Sequence, residues 1–377
     1  MGRCFLALQL KVSIKRSPMN ISYNKYLIAG AVSIAVLSQI PSVTPATAKV
    51  DVKPNSQATS TLVHPQLVYI LKEHSGSVKS LAFAPDNQTL VSGGSENDGV
   101  IRLWSAKTGK RIGIIRKAQK TTVESVLISP NGLTLASCSN DYTINLWNLK
   151  TNKFSRSFIG HSSNVLSLAV TPDGKILASG GLDGIRLWDL IQQRPLATLV
   201  HYNNISKIAI SPGGQILASG DTKGMVKLWN LNSGQLIREF TAHTKVISGI
   251  AFTPDDQTLV TASHDGTIKL WNAKTGDLVS TLTADKNWMS HRDWINAIAI
   301  NPNGRILASG GKQGIVKLWD LTTGKLLNTL DGHTDWVSAI AFSPDGQMLA
   351  SGGYDKKIMI WRSHPILDFG WVDWLHR

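Results

Sequence analysis

Apolar and polar residues alternate in short runs from about residue 66 onward. Near the C-terminus, "VSAIAFSP" and "QMLASGG" each place apolar side chains at about every second position, and "DG" separates them. A second turn follows, and "KIMIW" forms a third run. Alternation with a period of two predicts half-buried β-strands, and Gly and Asp between the runs predict tight turns. We therefore expect an almost all-β chain.

This arrangement repeats with a period near 42 residues. After the third run of a unit, "DLTTGKLLNTL" adds a turn containing Gly and a fourth run. Four antiparallel strands that are apolar on both faces must stack on copies of themselves, and a closed ring leaves no face uncovered. The period is marked by a tryptophan that ends the third run of each unit: Trp104, Trp147, Trp188, Trp229, Trp271, Trp319 and Trp361.

The repeated residues resemble the WD-repeat β-propeller family. They include "GH" at 160–161 and 332–333, "WD" at 188–189 and 319–320, and a turn Asp six residues before Trp in "HDGTIKLW". The resemblance covers residues 66–362 and rests on seven aligned units. It implies an all-β fold, a seven-bladed propeller of four-stranded antiparallel blades. The N-terminal strand should close the ring, because "QLVYILKEH" at 66–74 aligns with "KLLNTLDGH" at 325–333.

Ser351, His333 and Asp355 have the residue types of a hydrolytic triad. The same set recurs in four units, whereas a catalytic site occurs once and needs an oxyanion hole and a cleft. The family resemblance implies instead a structural tetrad, in which His bridges the turn Asp and a strand Ser or Thr, and that hydroxyl bonds the Trp indole. The four sets are Asp98, His74, Ser92 and Trp104; Asp183, His161, Ser179 and Trp188; Asp265, His243, Thr261 and Trp271; and Asp355, His333, Ser351 and Trp361.

Three units depart from the tetrad pattern. Gln119 stands where His belongs in blade two, and Lys223 and Gln313 stand where Asp belongs in blades four and six. We expect these three tetrads to be incomplete.

The resemblance also implies a docking surface on the top face of the ring. In this family three positions per blade point there: the third and fifth residues after the His, and the residue before the turn Asp. Blades one to four offer mostly small or polar groups at these positions, such as Ser77 and Lys79. Blades five to seven offer His264, Trp294, Asn296, Lys312, Trp336, Ser338 and Tyr354. Clustered aromatics predict a binding hot spot on the top face near blades six and seven.

An insertion falls on the same side. The step from Trp271 to His291 is six residues longer than the fourteen-residue step from Trp319 to His333. The extra segment carries Trp288, Met289 and Arg292, which we predict to extend the docking surface, because binding residues are commonly added to loops of a rigid scaffold.

The N-terminus predicts export. Residues 1–25 carry five basic residues and no acid, an apolar stretch follows, and "ATA" precedes a polar segment. This pattern predicts a signal peptide of bacterial type over 1–48, with an uncleaved membrane anchor as the alternative. Residues 49–65 are expected to form a flexible linker, and the apolar tail 363–377 is expected to pack on the ring. The compartment would be the periplasm, a comparable lumen or the cell exterior.

The net charge and the cysteine content argue against nucleic-acid binding and against thiol chemistry. The formal net charge is +14, and removing residues 1–48 lowers it to about +9. The basic residues are spread over many strands without the aromatic-rich stripe of a nucleic-acid groove, so no nucleic-acid partner is expected. Cys138 would be the one cysteine of the mature chain and lies in a strand-like run, where a buried inert thiol is expected.

The sequence thus predicts a non-catalytic, exported scaffold that binds a protein or peptide, with no cofactor and no metal. One alternative is a binder of anionic lipid or envelope glycan through the basic surface. Another is an enzyme centred on the channel, which would need His, Asp or Glu converging on the ring axis. Membrane contact is expected only if the signal segment stays uncleaved.

Overall fold

The structure is a computed structural model that describes residues 62–95, 98–116, 118–199, 204–282 and 294–363. It contains 28 β-strands in seven antiparallel sheets of four strands. Within a blade the strands follow one another in the chain and in the sheet, as in the order β2-β3-β4-β5 of blade one. No helix in these described ranges is long and apolar enough to cross a membrane.

Each blade contributes one strand to each of four concentric positions. The first strands are β2 (Val78–Phe83), β6 (Val123–Ile128), β10 (Val165–Val170), β14 (Ile205–Ile210), β18 (Ile247–Phe252), β22 (Ile295–Ile300) and β26 (Val337–Phe342). The second strands are β3 (Thr89–Gly94), β7 (Thr134–Ser139), β11 (Ile176–Gly181), β15 (Ile216–Asp221), β19 (Thr258–Ser263), β23 (Ile306–Gly311) and β27 (Met348–Gly353). The third strands are β4 (Ile101–Ser105), β8 (Ile144–Asn148), β12 (Gly184–Asp189), β16 (Met225–Asn230), β20 (Ile268–Asn272), β24 (Val316–Asp320) and β28 (Ile358–Arg362). The fourth strands are β5 (Arg111–Ile115), β9 (Lys153–Phe158), β13 (Arg194–Leu199), β17 (Leu236–Thr241), β21 (Leu278–Leu282), β25 (Leu326–Leu330) and β1 (Gln66–Leu71).

The seven blades close into a ring. Each first strand contacts the first strands of both neighbouring blades, and β26 of blade seven contacts β2 of blade one. The N-terminal strand β1 completes blade seven by pairing antiparallel with β28, from Gln66 opposite Arg362 to Leu71 opposite Ile358. The predicted seven-bladed propeller and its closure by the N-terminal strand are therefore confirmed.

The core lies between adjacent blades. Residues from facing sheets form one apolar cluster at each junction, and the tryptophan of the third strand is buried in every blade. Close approach requires glycine in five of the second strands: a Cβ added at Gly310, for example, would lie 2.5 Å from Val337 Cγ1 of the next blade. Cys138 is a free thiol that is fully buried in this core, and burial raises its pKa.

The packed ring begins at Leu62, four residues before the closure strand and within the segment 49–65 that is predicted to be a linker. Leu62 is fully buried in a cluster with residues of blades six and seven, and Asn328 Nδ2 of β25 donates a hydrogen bond to the Val63 carbonyl. Residues 62–65 therefore belong to the packed ring, because the apolar side chain of Leu62 packs against blades six and seven before the closure strand begins. Residues 1–61 and 364–377, on which the predicted signal and tail fall, lie outside the described residues.

Every first strand carries a bulge one residue after its start. The register shifts between Val78 and Ser80 in blade one and between Val337 and Ala339 in blade seven, and the other five blades repeat the shift. A bulge leaves one residue outside the ladder and turns its side chain in a new direction. The bulged residues lie where the first strands begin, at the end of the ring that also holds the turns between second and third strands. We call this end the top face.

Candidate functional site

Four blades contain a hydrogen-bonded chain of Asp, His, Ser or Thr, and Trp. In blade three, His161 Nδ1 lies 2.6 Å from Asp183 and Nε2 lies 2.7 Å from Ser179 Oγ, which accepts the Trp188 indole N–H at 2.8 Å. The equivalent contacts in blade one are 2.5, 2.7 and 2.8 Å. The sets of blades five and seven show the same three contacts, at 2.8 to 3.3 Å. All the residues expected in these four sets are thus in contact.

The charge states within these chains follow from burial and hydrogen bonding. Burial lowers the pKa of His161, so its ring is neutral, and the network requires its proton on Nδ1. Burial would raise the pKa of Asp183, but hydrogen bonds from His161 and the Ser162 backbone hold it at about 2. The arrangement pairs the buried polar atoms of the four tetrad residues, and the Ser179 hydroxyl is fully buried between His161 and the Trp188 indole.

In blade two, Gln119 takes the place of the histidine in the hydrogen-bonded chain. Gln119 Nε2 donates to Ser137 Oγ at 2.9 Å, and the same oxygen accepts the Trp147 indole N–H. Gln119 Oε1 accepts from Asn145 Nδ2 at 3.0 Å, and Thr143 Oγ1, which lies 3.1 Å from the same oxygen, donates its proton to Asp141 at 2.6 Å. Blade two thus shows no direct hydrogen bond from this position to the turn Asp, as expected of an incomplete set, but the amide of Gln119 replaces the imidazole as the partner of Ser137.

Blade four contains a buried carboxylate that the motif comparison missed. Lys223 occupies the expected Asp position and is exposed, but Asp221 two residues earlier is fully buried and accepts the backbone N–H groups of Lys223 and Met225. A carboxylate beside the turn could have been noticed in "SGDTKG". His201 of this blade and His291 of blade six lie outside the described residues.

Acid is expected to destabilise the ring in two stages. His74 and His161 have pKa values lowered by burial, so below about pH 6.5 the unfolded chain binds protons that the folded chain does not, and stability falls. Asp98 and Asp183 have pKa values of about 2 in the fold, against 3.8. Each carboxylate therefore contributes on the order of 1 to 2 kcal/mol above pH 4 that is lost as the pH falls towards 2.

Urea unfolding midpoints between pH 7.5 and pH 2 measure both stages. The control is a variant carrying His74→Gln and His161→Gln, which imitates blade two and should flatten the first stage alone. A wild-type midpoint that does not change between pH 7.5 and pH 5 would contradict the assignment of neutral histidines.

The top face of blades five to seven holds a continuous set of aromatic rings. His264 stacks on Trp294 with ring centroids 4.6 Å apart and planes 6° apart. Trp294 meets Trp336 edge to face at 5.7 Å, and Trp336 meets Tyr354 at 5.4 Å. We call these four residues the aromatic arc. They come from three blades, so the packing of the blades fixes their positions.

In blades six and seven a backbone hydrogen bond joins the third residue after the His to the residue before the turn position. In blade seven the Tyr354 N–H donates to the Trp336 carbonyl at 2.8 Å, and in blade six the Lys312 N–H donates to the Trp294 carbonyl at 3.1 Å. The residue before the turn Asp thus lies beside the third residue after the His. Trp294 is 40% exposed, and Trp336 and Tyr354 are half-buried. The two indoles are therefore available to solvent rather than enclosed between sheets.

Two lysines lie against the arc. Lys312 Nζ is 5.9 Å from the ring centre of Trp294 and 5.5 Å from that of Trp336, within the range of cation–π attraction. Lys79 Nζ donates to the Tyr354 hydroxyl at 2.6 Å and lies 4.3 Å from its ring centre. Lys79 is the bulged residue of β2, and closure of the ring brings it beside blade seven. Sequence reasoning grouped it with the polar residues of blades one to four because the motif alone does not show this contact.

Two residues predicted at the docking surface have another role. The Ser338 hydroxyl donates to the Val78 carbonyl at 2.5 Å, and Asn296 Nδ2 donates to the Val337 carbonyl at 3.2 Å. Both are bulged residues whose side chains bond the next blade, as do Ser206 and Ser248. Asn296 and Ser338 therefore fasten blades together at the rim of the channel, instead of facing a partner. Trp288, Met289 and Arg292 lie outside the described residues.

The channel contains few groups that could act in catalysis. At its top is a cavity of about 140 Å³ whose lining includes one carboxylate, Glu124, and no histidine. Across the described ranges, no three His, Cys, Asp or Glu side chains are grouped so that they could hold a metal ion. His264, the one histidine of the arc, has a pKa lowered by burial and by nearby lysines, and stacks on Trp294 as a neutral ring.

The fold defines a closed, seven-bladed β-propeller, and comparisons with known proteins identify its family. The family model described as the IFT122 first beta-propeller matches residues 77–292, and the model for the WD domain, G-beta repeat, matches residues 278–320 and 324–362. The chain belongs to the WD-repeat β-propeller family.

Curated relatives match parts of the chain. Apoptotic protease-activating factor 1 of Rattus norvegicus is 29% identical over 166 residues, which cover 44% of this chain and 13% of that protein. Periodic tryptophan protein 2 of Arabidopsis thaliana is 39% identical over 104 residues, 27% of this chain and 11% of that protein. Protein groucho of Drosophila melanogaster is 31% identical over 121 residues, 32% of this chain and 16% of that protein. The chain thus spans less than a fifth of each of these relatives. Propellers of this family generally mediate protein–protein interactions and are generally non-catalytic.

Proposed function

We propose that this chain is a non-catalytic scaffold that binds a protein or peptide on the aromatic arc. The observation that carries the proposal is the half-exposed row of Trp294, Trp336 and Tyr354 across blades six and seven. Large aromatic side chains in fixed positions supply much of the binding energy at protein interfaces, because they bury a large area and lose little entropy.

The contacts around the arc support a preformed surface. Stacking against His264 and backbone bonds to Tyr354 restrict the two indoles before any partner arrives. A surface that is ordered in advance binds more tightly, since less conformational freedom is lost on binding. Lys312 and Lys79 give the surface a polar rim beside its apolar centre, as in most protein interfaces.

The proposal includes export from the cytoplasm. Its support is the basic leader, apolar stretch and "ATA" of residues 1–48, which fit a secretory signal. The partner is then expected in the envelope or outside the cell. The apolar tail 363–377 is proposed to pack on the ring or on the partner.

Affinity capture tests the docking surface. The full-length chain and a Trp294→Ala/Trp336→Ala variant would each be immobilised and exposed to envelope and cytoplasmic extracts of the source cell. We expect the wild type to retain a protein from the envelope extract, and the double variant to lose at least about 100-fold in affinity, because two hot-spot indoles together contribute about 3 kcal/mol or more.

A matched control comes from the other side of the ring. Leu182 occupies the same position of blade three as Tyr354 occupies in blade seven and is half-buried, so Leu182→Ala changes the top face away from the arc. This control should bind as the wild type does. Capture that survives in the double Trp variant would refute the docking surface, and capture from the cytoplasmic extract alone would refute export.

A further inference from the structure

The cavity at the top of the channel lies next to the aromatic arc. Its volume is about 140 Å³, and it is lined by the first strands of blades one, two, four, five, six and seven. Lys79 belongs to this lining and also bonds Tyr354, so one end of the arc reaches the cavity directly. Lys207 of the lining is close enough to His264 for its charge to lower the pKa of that ring. The cavity thus lies beside Tyr354 at one end of the arc, and its Lys207 lies within electrostatic range of His264 at the other end.

Lys207 departs from the other residues at its level of the channel. It follows the bulged residue of β14 and pairs with Gly220. The residues at the equivalent position that also line the cavity are Ser80, Ser125, Gly249, Ala297 and Ala339. Five blades thus place a small residue there, and blade four places a long cationic side chain in the same space.

The charge of Lys207 is not balanced by a close partner. In the described part of the chain, no carboxylate lies within 4.0 Å of its Nζ, and Glu124, the acid of the lining, accepts a hydrogen bond from Asn140 Nδ2 at 3.0 Å. Burial, together with the charge of Lys79, lowers the pKa of Lys207, while Glu124 acts in the opposite direction. Lys207 is half-buried, and a cation that is partly removed from water without an ion pair is costly, so an incoming anion would relieve that cost.

We propose that the cavity is a carboxylate-binding site, in which Lys207 and Lys79 receive one carboxylate of the peptide that docks on the aromatic arc. This inference rests on the proposed function and adds the chemistry of the partner. Two lysines and Glu124 leave one net positive charge, which a singly charged carboxylate balances and a doubly charged phosphate exceeds. The Ser80 hydroxyl accepts the Val126 N–H at 2.8 Å, and its own proton can be donated to the same anion.

The carboxylate could come from an Asp or Glu side chain or from a peptide C-terminus. Two random-peptide libraries distinguish these sources when selected on the immobilised full-length chain. In one library the peptides are attached through their C-termini, so that only side chains carry carboxylates, and in the other they end in a free C-terminus. Enrichment of Asp or Glu beside an aromatic residue in both libraries indicates a side chain, and enrichment in the second library alone indicates a terminus.

Three variants of the chain test the role of Lys207. Lys207→Ser imitates blades one and two, and Lys207→Gln keeps the length of the side chain without its charge. Lys223→Ser removes an exposed lysine from the same blade and is the matched control. A charged hydrogen bond lost from a buried site weakens binding roughly tenfold to hundredfold. We expect this loss for a selected peptide in both Lys207 variants, and less than about twofold in the control.

A neutral version of the peptide completes the test. Replacing its carboxylate by an amide should weaken binding to the wild type but cause no further loss with Lys207→Ser, because the two changes remove the same contact. Selected peptides that need Trp336 but bind equally to wild type and both Lys207 variants would overturn the carboxylate site and leave the docking surface intact. Peptides that bind Trp336→Ala as well as wild type, or no selected peptides at all, would overturn the docking surface itself.

Discussion

A chain that begins at residue 72 is expected to lose the cooperative unfolding transition of the ring. It lacks β1, whose backbone pairs with β28 and whose Leu71 is buried, and it lacks Leu62, which is fully buried between blades six and seven. Each leucine contributes about 1.5 to 3 kcal/mol to the free energy of unfolding by its burial. Loss of the hydrogen bonds between β1 and β28 lowers this free energy further. The total approaches the 5 to 15 kcal/mol that stabilises a typical folded domain.

Thermal and urea unfolding measure this loss. The control is a chain that begins at residue 62, which retains the closure strand and the buried leucine and should unfold in one sharp transition. An exposed β28 edge should also make the shorter chain aggregate, since unpaired edges add strands from other copies. If both chains unfold at the same midpoint, closure by the N-terminal strand does not stabilise the ring.

His161→Ala is expected to lower the free energy of unfolding by about 3 kcal/mol. The change leaves the Asp183 carboxylate without its imidazole partner and removes one contact of Ser179 Oγ, in a region where the His161 side chain is almost fully buried. Removing one member of a buried ionic or hydrogen-bonded pair costs more than the pair contributes, because the remaining group is left desolvated without a partner.

The variant His161→Gln shows how much of the lost stability comes from the hydrogen bond to Ser179 and how much from the imidazole ring itself. Blade two shows that Gln119 can donate to Ser137 from the equivalent position, so the Gln variant should recover at least half of the stability that Ala loses. Urea unfolding at pH 7 measures both variants. If Ala and Gln lower stability equally, the contact between His161 and Ser179 does not contribute.

Much of the fold could be predicted from the sequence because the pattern is repeated. Seven copies of one strand pattern, each ending in Trp, determine the number of blades, and the match of residues 66–74 to residues 325–333 indicates the closure strand. A single copy would leave register and closure undetermined, since both depend on contacts between distant parts of the chain.

The candidate site could be predicted only in part. Motif positions identified His264, Trp294, Trp336 and Tyr354, but the contact between Tyr354 and Lys79 depends on ring closure, which joins residues 275 positions apart. The bulges of the first strands determine which other side chains face a partner. They turn Ser338 and Asn296 towards the next blade, and the alternation of apolar residues does not reveal a one-residue bulge. Lys207 was missed because a lysine in a strand is most often solvated.

Photo-crosslinking from the arc in the source cell tests the central claim most directly. A photoreactive phenylalanine derivative at position 336 would lie at the centre of the arc, and the same group at position 182 would lie on the top face of blade three. The account predicts a specific crosslinked protein from position 336 and none from position 182. Crosslinking from position 182 alone, or equally from both positions, would contradict the claim that the partner docks on blades five to seven.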